Sequence, residues 1–201
     1  MTIYLLRHGQ TEWNTEQRFQ GSMDSPLTDR GVAQAHTMGT ALADLLRSHG
    51  TDVSDVTIDS SPLGRVRRTA EIVARELGVP ESGIRFSDLL KEASFGVWQG
   101  LTWAEVGERF PGAIEEREAN KWEYRIPEGE PYCLTYERAV EFLDTPCETP
   151  VRVIVTHEVM SRCLRGAYAR LSPARIVGES HRHGAVYLLA DGSIKEIATD
   201  T

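Results

Sequence analysis

The chain is short of several things, and each shortage narrows what it can do. Positive charge is scarce: 22 basic residues face 30 acidic ones, for a formal charge of −8. That balance argues against a general nucleic-acid or anionic-membrane binder. Cysteine is scarce too. Cys133, Cys147 and Cys163 form no CxxC pair, and one must stay unpaired within the chain. A reduced compartment is the simpler reading. No apolar run approaches the roughly 18 residues of a membrane span. The N-terminal apolar stretch is too short for a signal peptide, and no small-residue cleavage site follows it. The expectation is a cytoplasmic protein without nucleic-acid or membrane partners. Lysine is nearly missing, since 19 of the 22 basic residues are arginine. Arginine's planar fork suits bidentate contacts to carboxylate or phosphate. Repeats and low-complexity tracts are absent, and 201 residues suffice for one well-filled core.

What is present alternates between strand and helix. Ile3–Arg7, Val53–Asp59, Ile84–Phe86 and Val151–Thr156 read as strands, the last the clearest. Thr28–Arg47 reads as a helix with Val32, Ala35, Met38, Leu42, Leu45 and Leu46 on one face. Ser61-Pro62 reads as an N-cap and first turn. The stripe Leu63, Val66, Ala70, Val73 and Leu77 follows, and Gly78 ends it. Thr102 and Glu105 have capping-box spacing. Helices are also expected over Leu134–Asp144 and from Met160 to Leu171, the latter stopped by Ser172-Pro173. Ala185–Ala190 and Ser193–Ala198, joined by Asp191-Gly192, read as a hairpin. The pattern implies an α/β, three-layer sandwich: a mostly parallel central sheet with helices on both faces. A single domain over 1–201 is expected. A small irregular cap excursion covers about 99–131, where Pro, Gly and Glu cluster.

In such sheets, ligands bind beyond the carboxyl ends of the strands. Three strands end in reactive residues: Arg7-His8-Gly9, Ser60-Ser61 with Arg65 one turn on, and Thr156-His157. Two histidines and two arginines on one rim suit a polyoxygen anion, phosphate above all. Helix N-termini after the strands would add N–H groups. Nearby guanidiniums should depress a histidine's pKa, and a neutral imidazole is a nucleophile. Glu92, after a short strand and before a Phe-Gly turn, is the candidate general acid. Gly9 would let the backbone turn away without a Cβ in the pocket.

Arg7-His8-Gly9-Gln10-Thr11-Glu12-Trp13-Asn14 resembles the RHG motif of the histidine phosphatase superfamily, in its phosphoglycerate-mutase-like branch. Further blocks match in order: Arg18-Phe-Gln20-Gly21 with Asp24-Ser-Pro-Leu-Thr28-x-x-Gly31, Ser60-Ser-Pro-Leu-Gly-Arg65-x-x-x-Thr69-Ala70, Glu92-x-x-Phe-Gly-x-Trp98-x-Gly100, and Val153-Ile-Val-Thr-His157. The resemblance implies a phosphate-accepting His8, a phosphoryl seat of Arg7, Arg65 and His157, and Glu92 as proton donor. Asn14 and Gln20 would add side-chain donors. It also implies no metal and no cofactor, because the Arg/His pocket supplies the positive charge.

The sequence departs from the family at Glu158-Val159, where Gly-Gly is common after the second histidine. The N–H of Glu158 can still face phosphate, but its side chain would repel the anion unless it pairs, for example with Arg162. Gln99 replaces the glutamate usual in the phosphatases, and Gly129-Glu130-Pro131 loses a capping hydroxyl. Trp98, Trp122 and Tyr124 are candidate aromatic walls for the organic part of a substrate. A mutase needs cations for a second phosphate. The excursion has Arg117, Lys121 and Arg125, but six glutamates around them. Hydrolysis of a small phosphorylated metabolite is therefore the favoured reading. A cofactor-dependent phosphoglycerate mutase is the alternative. A non-catalytic phospho-ligand binding module is the third, disfavoured because nucleophile and acid are both present. His181-x-His183 has metal-pair spacing but no obvious third ligand. Cys163 reads as an inert buried thiol. Nothing in the sequence indicates an oligomeric state.

Overall fold

Alternating side chains divide the central strands between two cores, and this fixes the layering. The structure is a computed structural model and describes residues 1–197. In β1 (Thr2–Arg7), Tyr4 and Leu6 enter one core while Ile3 and Leu5 enter the other. In β4 (Val151–Thr156), Val153 and Val155 oppose Ile154 in the same way. The first core is closed by α2 (Asp29–Ser48) and α3 (Gly64–Leu77). The second is closed by α6 (Tyr132–Leu143), α7 (Glu158–Ala169) and α8 (Pro173–Gly178). A one-turn helix α1 (Glu12–Thr15) follows the first strand.

The sheet is completed by β2 (Val56–Ser60), β3 (Ile84–Phe86), β5 (Val186–Ala190) and β6 (Ser193–Ile197). Its order is β3-β2-β4-β1-β5-β6. The β1–β4, β2–β4 and β2–β3 pairings are parallel, while β5 runs antiparallel to β1 and to β6. This is the expected α/β sandwich. Asp59 ties the parallel strands together: it receives Arg152 Nε at 2.6 Å and Arg85 Nη2 at 2.8 Å.

Several boundaries differ from expectation. Val53–Asp55 forms a 3-10 turn, so β2 begins only at Val56. Ser61 does not cap α3. Leu63 stands at that position, and the Ser61 hydroxyl is engaged elsewhere. The helix expected from Met160 begins at Glu158, and Ser172-Pro173 starts α8 rather than merely stopping α7. Ala198, the expected last hairpin residue, lies outside the described residues. Gly78 does end α3, at φ 74°.

The excursion contains α4 (Trp103–Arg109), with the expected Thr102–Glu105 capping box, and α5 (Ala113–Ala119). It folds around a small third core of Phe19, Trp98, Val106 and Ile126. This core places the excursion over the carboxyl-end rim of β1.

Candidate active site

Strand register brings the three motifs level. Arg7 pairs with Thr156, and His8 N–H donates to the Thr156 carbonyl at 3.0 Å. Ser60 pairs with Val155, and Ser61 N–H donates to the Val155 carbonyl at 3.1 Å. His8, Ser61 and His157 therefore leave the sheet on one row. The His8 and His157 rings stand 5.4 Å apart, edge to face.

A cavity of about 220 Å³ opens beside this row. Arg7, His8, Asn14, Gln20, Arg65, Glu92 and Glu158 all line it. His8 Nδ1 lies 2.7 Å from the Gly9 carbonyl, which can only accept. The proton is thus on Nδ1, and Nε2 keeps its lone pair. Burial, then the Arg65 and Arg7 guanidiniums, hold His8 well below the ordinary histidine pKa. The imidazole is neutral and nucleophilic.

The arginines are held from behind. Arg65 donates through Nη1 to Met23 O and Asp24 Oδ1, and through Nη2 to Gly21 O and His157 Nδ1. Arg7 Nη1 donates to His181 O at 2.6 Å and lies 2.7 Å from Glu158 Oε2. The buried Nε–H of Arg7, Arg65 and Arg162 has no acceptor among the described residues. Three guanidiniums, those of Arg7, Arg65 and Arg162, on one cavity wall suit an oxyanion.

The Glu92 side chain, from the loop after β3, packs against the first turn of α7. Its carboxylate accepts from the backbone N–H of Ala93, Val159 and Met160 at 3.1, 3.3 and 3.2 Å. Burial raises its pKa, opposed by Arg65 and these N–H groups, with a net rise. A carboxyl of raised pKa beside a neutral imidazole is the pairing that acid–base chemistry uses. The same contacts correct one expectation: the N–H groups of Val159 and Met160 serve Glu92, not a bound anion.

Other expected residues are placed differently. His157 is fully buried behind Arg65 and does not line the cavity. Its Nδ1 accepts from Arg65, so its Nε2–H donates to Ser61 Oγ at 2.9 Å. Gln20 Nε2 donates to Thr11 Oγ1 at 2.8 Å, which leaves the acceptor Oε1 as its unpaired end. Asn14 Oδ1 closes a capping box with Thr11. Trp98 is not a pocket wall: it is 0% exposed in the third core. Trp122 and Tyr124 also lie off the cavity, against Tyr136 and Trp98 respectively. The aromatic walls are instead Phe19, Phe95, Trp103 and Tyr132. Gly9 is required by crowding rather than by a turn: a Cβ there would lie 2.1 Å from the Gly31 carbonyl oxygen.

Sequence reasoning missed several contributors. Ser61 fixes His157 rather than capping a helix. Thr69 Oγ1 accepts from Gly9 N–H at 3.2 Å. His183 lies 2.9 Å from the His8 carbonyl through Nδ1, and His181 Nδ1 meets Ser161 Oγ at 2.6 Å. No group of three or more metal-ligating side chains occurs among the described residues. Arg18, Arg117 and Lys121 also line the cavity, a cationic wall that the glutamates around Arg117 and Lys121 in the sequence do not suggest. Glu118 alone pairs with both Arg117 and Lys121. Cys163 is buried, and burial pushes its thiol pKa up, as for an inert core cysteine. No helix among the described residues is long and apolar enough to cross a membrane.

Comparison with known proteins identifies the family and the fold. The sequence pattern of the histidine phosphatase superfamily (branch 1) matches residues 3–191. The probable phosphoglycerate mutase GpmB of Salmonella arizonae is 35% identical over 167 residues, covering 82% of this chain and 73% of that protein. Among solved structures, Bacillus stearothermophilus YhfR superposes with a TM-score of 0.80 at 29% identity, covering 99% of this chain and 96% of that one. The mycobacterial glucosyl-3-phosphoglycerate phosphatase Rv2419c, complexed with VO3, gives 0.78 at 26% identity, with coverage of 99% and 96%. The alpha-ribazole phosphatase of Shigella flexneri gives 0.81 at 21% identity, with coverage of 100% and 96%, a likeness of fold alone.

Proposed function

The chain belongs to the histidine phosphatase superfamily, and on that premise we propose that it hydrolyses a small phosphomonoester through a phosphohistidine on His8, without metal. One observation carries this reading. A neutral His8, with Nδ1–H held by Gly9, shares a cavity with the guanidiniums of Arg7, Arg65 and Arg162 and with Glu92, a carboxyl of raised pKa.

The chemistry follows from these atoms. The Arg7 and Arg65 guanidiniums hold the phosphoryl oxygens by their positive charge, which places phosphorus against His8. The Nε2 lone pair forms the N–P bond as the P–O ester bond breaks. Glu92 gives its proton to the departing oxygen. Water then attacks phosphorus, Glu92 takes back a proton, and the N–P bond breaks to release phosphate and neutral His8. Charge stabilisation and positioning do most of the work in phosphoryl transfer. His157 acts here as a positioning residue, since both its nitrogens are spent on Arg65 and Ser61.

The decisive experiment is single-turnover labelling with a 32P phosphomonoester. The wild type should show an acid-labile, base-stable phosphoenzyme that His8→Ala lacks, with turnover unchanged by chelator. A chelator-sensitive rate, or labelling that survives in His8→Ala, overturns the reading.

One observation favours phosphoglycerate mutase as a second reading. Arg117 and Lys121 stand on the same cavity wall and, among the described residues, share Glu118 as their acidic partner, and the GpmB relatives carry the mutase name. A coupled assay with 3-phosphoglycerate and its bisphosphate activator separates the two: isomerisation faster than hydrolysis would establish the mutase.

A further inference from the structure

Among the described residues two carboxyl groups line the cavity, Glu92 and Glu158, and Glu158 is the one that two arginines hold below the ordinary carboxyl pKa. It opens α7 directly after His157. Its Oε1 accepts from Arg162 Nη2, and its Oε2 lies 2.7 Å from Arg7 Nη1. One carboxylate thus bridges two of the guanidiniums that line the cavity. The arrangement is built from behind. Arg162 Nη1 donates to the Tyr132 hydroxyl at 3.0 Å, and Arg7 Nη1 also donates to His181 O. Both guanidiniums keep an Nε–H without an acceptor among the described residues. Glu158 therefore cancels about one of the two positive charges and leaves about one for an anion. Arg7 and Arg162 keep its carboxyl below the ordinary pKa against the opposing effect of burial.

We propose that Glu158 is a charge filter at the phosphoryl seat: bridging Arg7 and Arg162, it loosens phosphate and disfavours leaving groups with an anion beside the ester oxygen. This inference rests on the phosphomonoesterase reading above. A fixed carboxylate beside the seat repels a bound dianion, which weakens product retention without removing the N–H groups that orient it. The same carboxylate repels a carboxylate on the carbon next to the ester. Each of its oxygens has a second lone pair, so it accepts a hydrogen bond from a hydroxyl or ammonium at that place. Discrimination by like-charge repulsion is a recognised route to specificity. The substrate class is therefore a phosphomonoester with a hydroxyl or amino group adjacent to the ester carbon.

The test uses the whole chain and two measurements. Calorimetry with inorganic phosphate compares wild type with Glu158→Gln and Glu158→Ala. Phosphate should bind at least about tenfold tighter to both variants, which corresponds to about 1.4 kcal/mol. Unchanged or weaker binding overturns the proposal and makes Glu158 a mere support for Arg7. Steady-state kinetics then compare 2-hydroxyethyl phosphate with phosphoglycolate. The wild type should prefer the hydroxyethyl ester, and Glu158→Gln should shift the kcat/KM ratio toward phosphoglycolate by about tenfold. An unshifted ratio rejects the filter. Thermal unfolding accompanies each variant, and Glu158→Ala carries both measurements if Glu158→Gln does not fold. If no phosphomonoester is turned over by the wild type while phosphate still binds tighter to the variants, the hydrolase reading falls and the charge effect of Glu158 stands.

Discussion

Arg65 donates from Nη2 to His157 Nδ1 across 3.0 Å, and this bond decides the tautomer of the second histidine. A guanidinium never accepts, so Nδ1 is unprotonated and Nε2 carries the hydrogen toward Ser61. His157 thereby joins α3 to the end of β4 and holds Arg65 at the cavity.

Ser61→Ala removes the acceptor for that hydrogen. A buried donor left unsatisfied costs about 1–3 kcal/mol. The variant should unfold at lower urea, and kcat/KM should fall less than in His157→Ala. Unchanged stability would show that Nε2–H finds another acceptor and that Ser61 does not fix the ring.

Glu92→Gln should expose the leaving group's need for a proton. General acid catalysis contributes roughly 10²- to 10⁴-fold. The loss in kcat should reach that range for an alkyl phosphate and be far smaller for p-nitrophenyl phosphate, whose phenolate departs unprotonated. The alkaline limb of the wild-type pH profile, where Glu92 loses its proton, should vanish in the variant. Equal losses on both esters would deny Glu92 the role of acid.

Stability should fall with acid in a way set by histidine. Burial depresses His8, His157 and His181 well below the usual value, and His183 to about 4. Between these values and the unfolded value of about 6.5, the unfolded chain binds protons that the folded chain does not. Each group then contributes about 1.4 kcal/mol per pH unit, present above pH 6.5 and lost as pH falls. Glu92, shifted upward, contributes in the opposite sense: its share is present at low pH and lost as pH rises through its folded pKa. The histidines outnumber it, so urea midpoints should drop from pH 7 to pH 5. His183→Asn should make that slope shallower; an equal slope would place the proton uptake elsewhere.

Gly31→Ala should destabilise the chain by several kcal/mol, about the upper end of single substitutions. A Cβ there would meet the Gln10 carbonyl oxygen at 2.0 Å, backbone that cannot move without shifting the loop after His8. A variant of wild-type stability would show that this loop yields.

The chemistry was more legible in the sequence than the geometry. VRVIVT and IYLLR are apolar runs that only a central strand accommodates, and the reactive residues that follow them fall on one row once the strands are parallel. Val53–Asp55 misled because its single apolar residue cannot distinguish a strand start from a 3-10 turn. Ser61-Pro62 looked like a helix cap because local spacing cannot show that a histidine 96 residues away competes for the hydroxyl. Among the tryptophans, composition gave no ground for choosing. Trp98 went to the third core with Phe19, while Trp103, 42% exposed, faces the cavity.

The amino-acid sequence by itself determined the strand–helix alternation, the residues carried to the sheet's rim, and the histidine and arginine chemistry that suits an anionic ligand. These depend on local periodicity and on residue chemistry, which survive without knowledge of neighbours. Only the tertiary structure decided which hydrogen of each guanidinium is already spent, which tautomer each histidine holds, and that Glu158 bridges Arg7 and Arg162. Those depend on distances between segments far apart in the chain, where a difference of an ångström separates a satisfied donor from an open one.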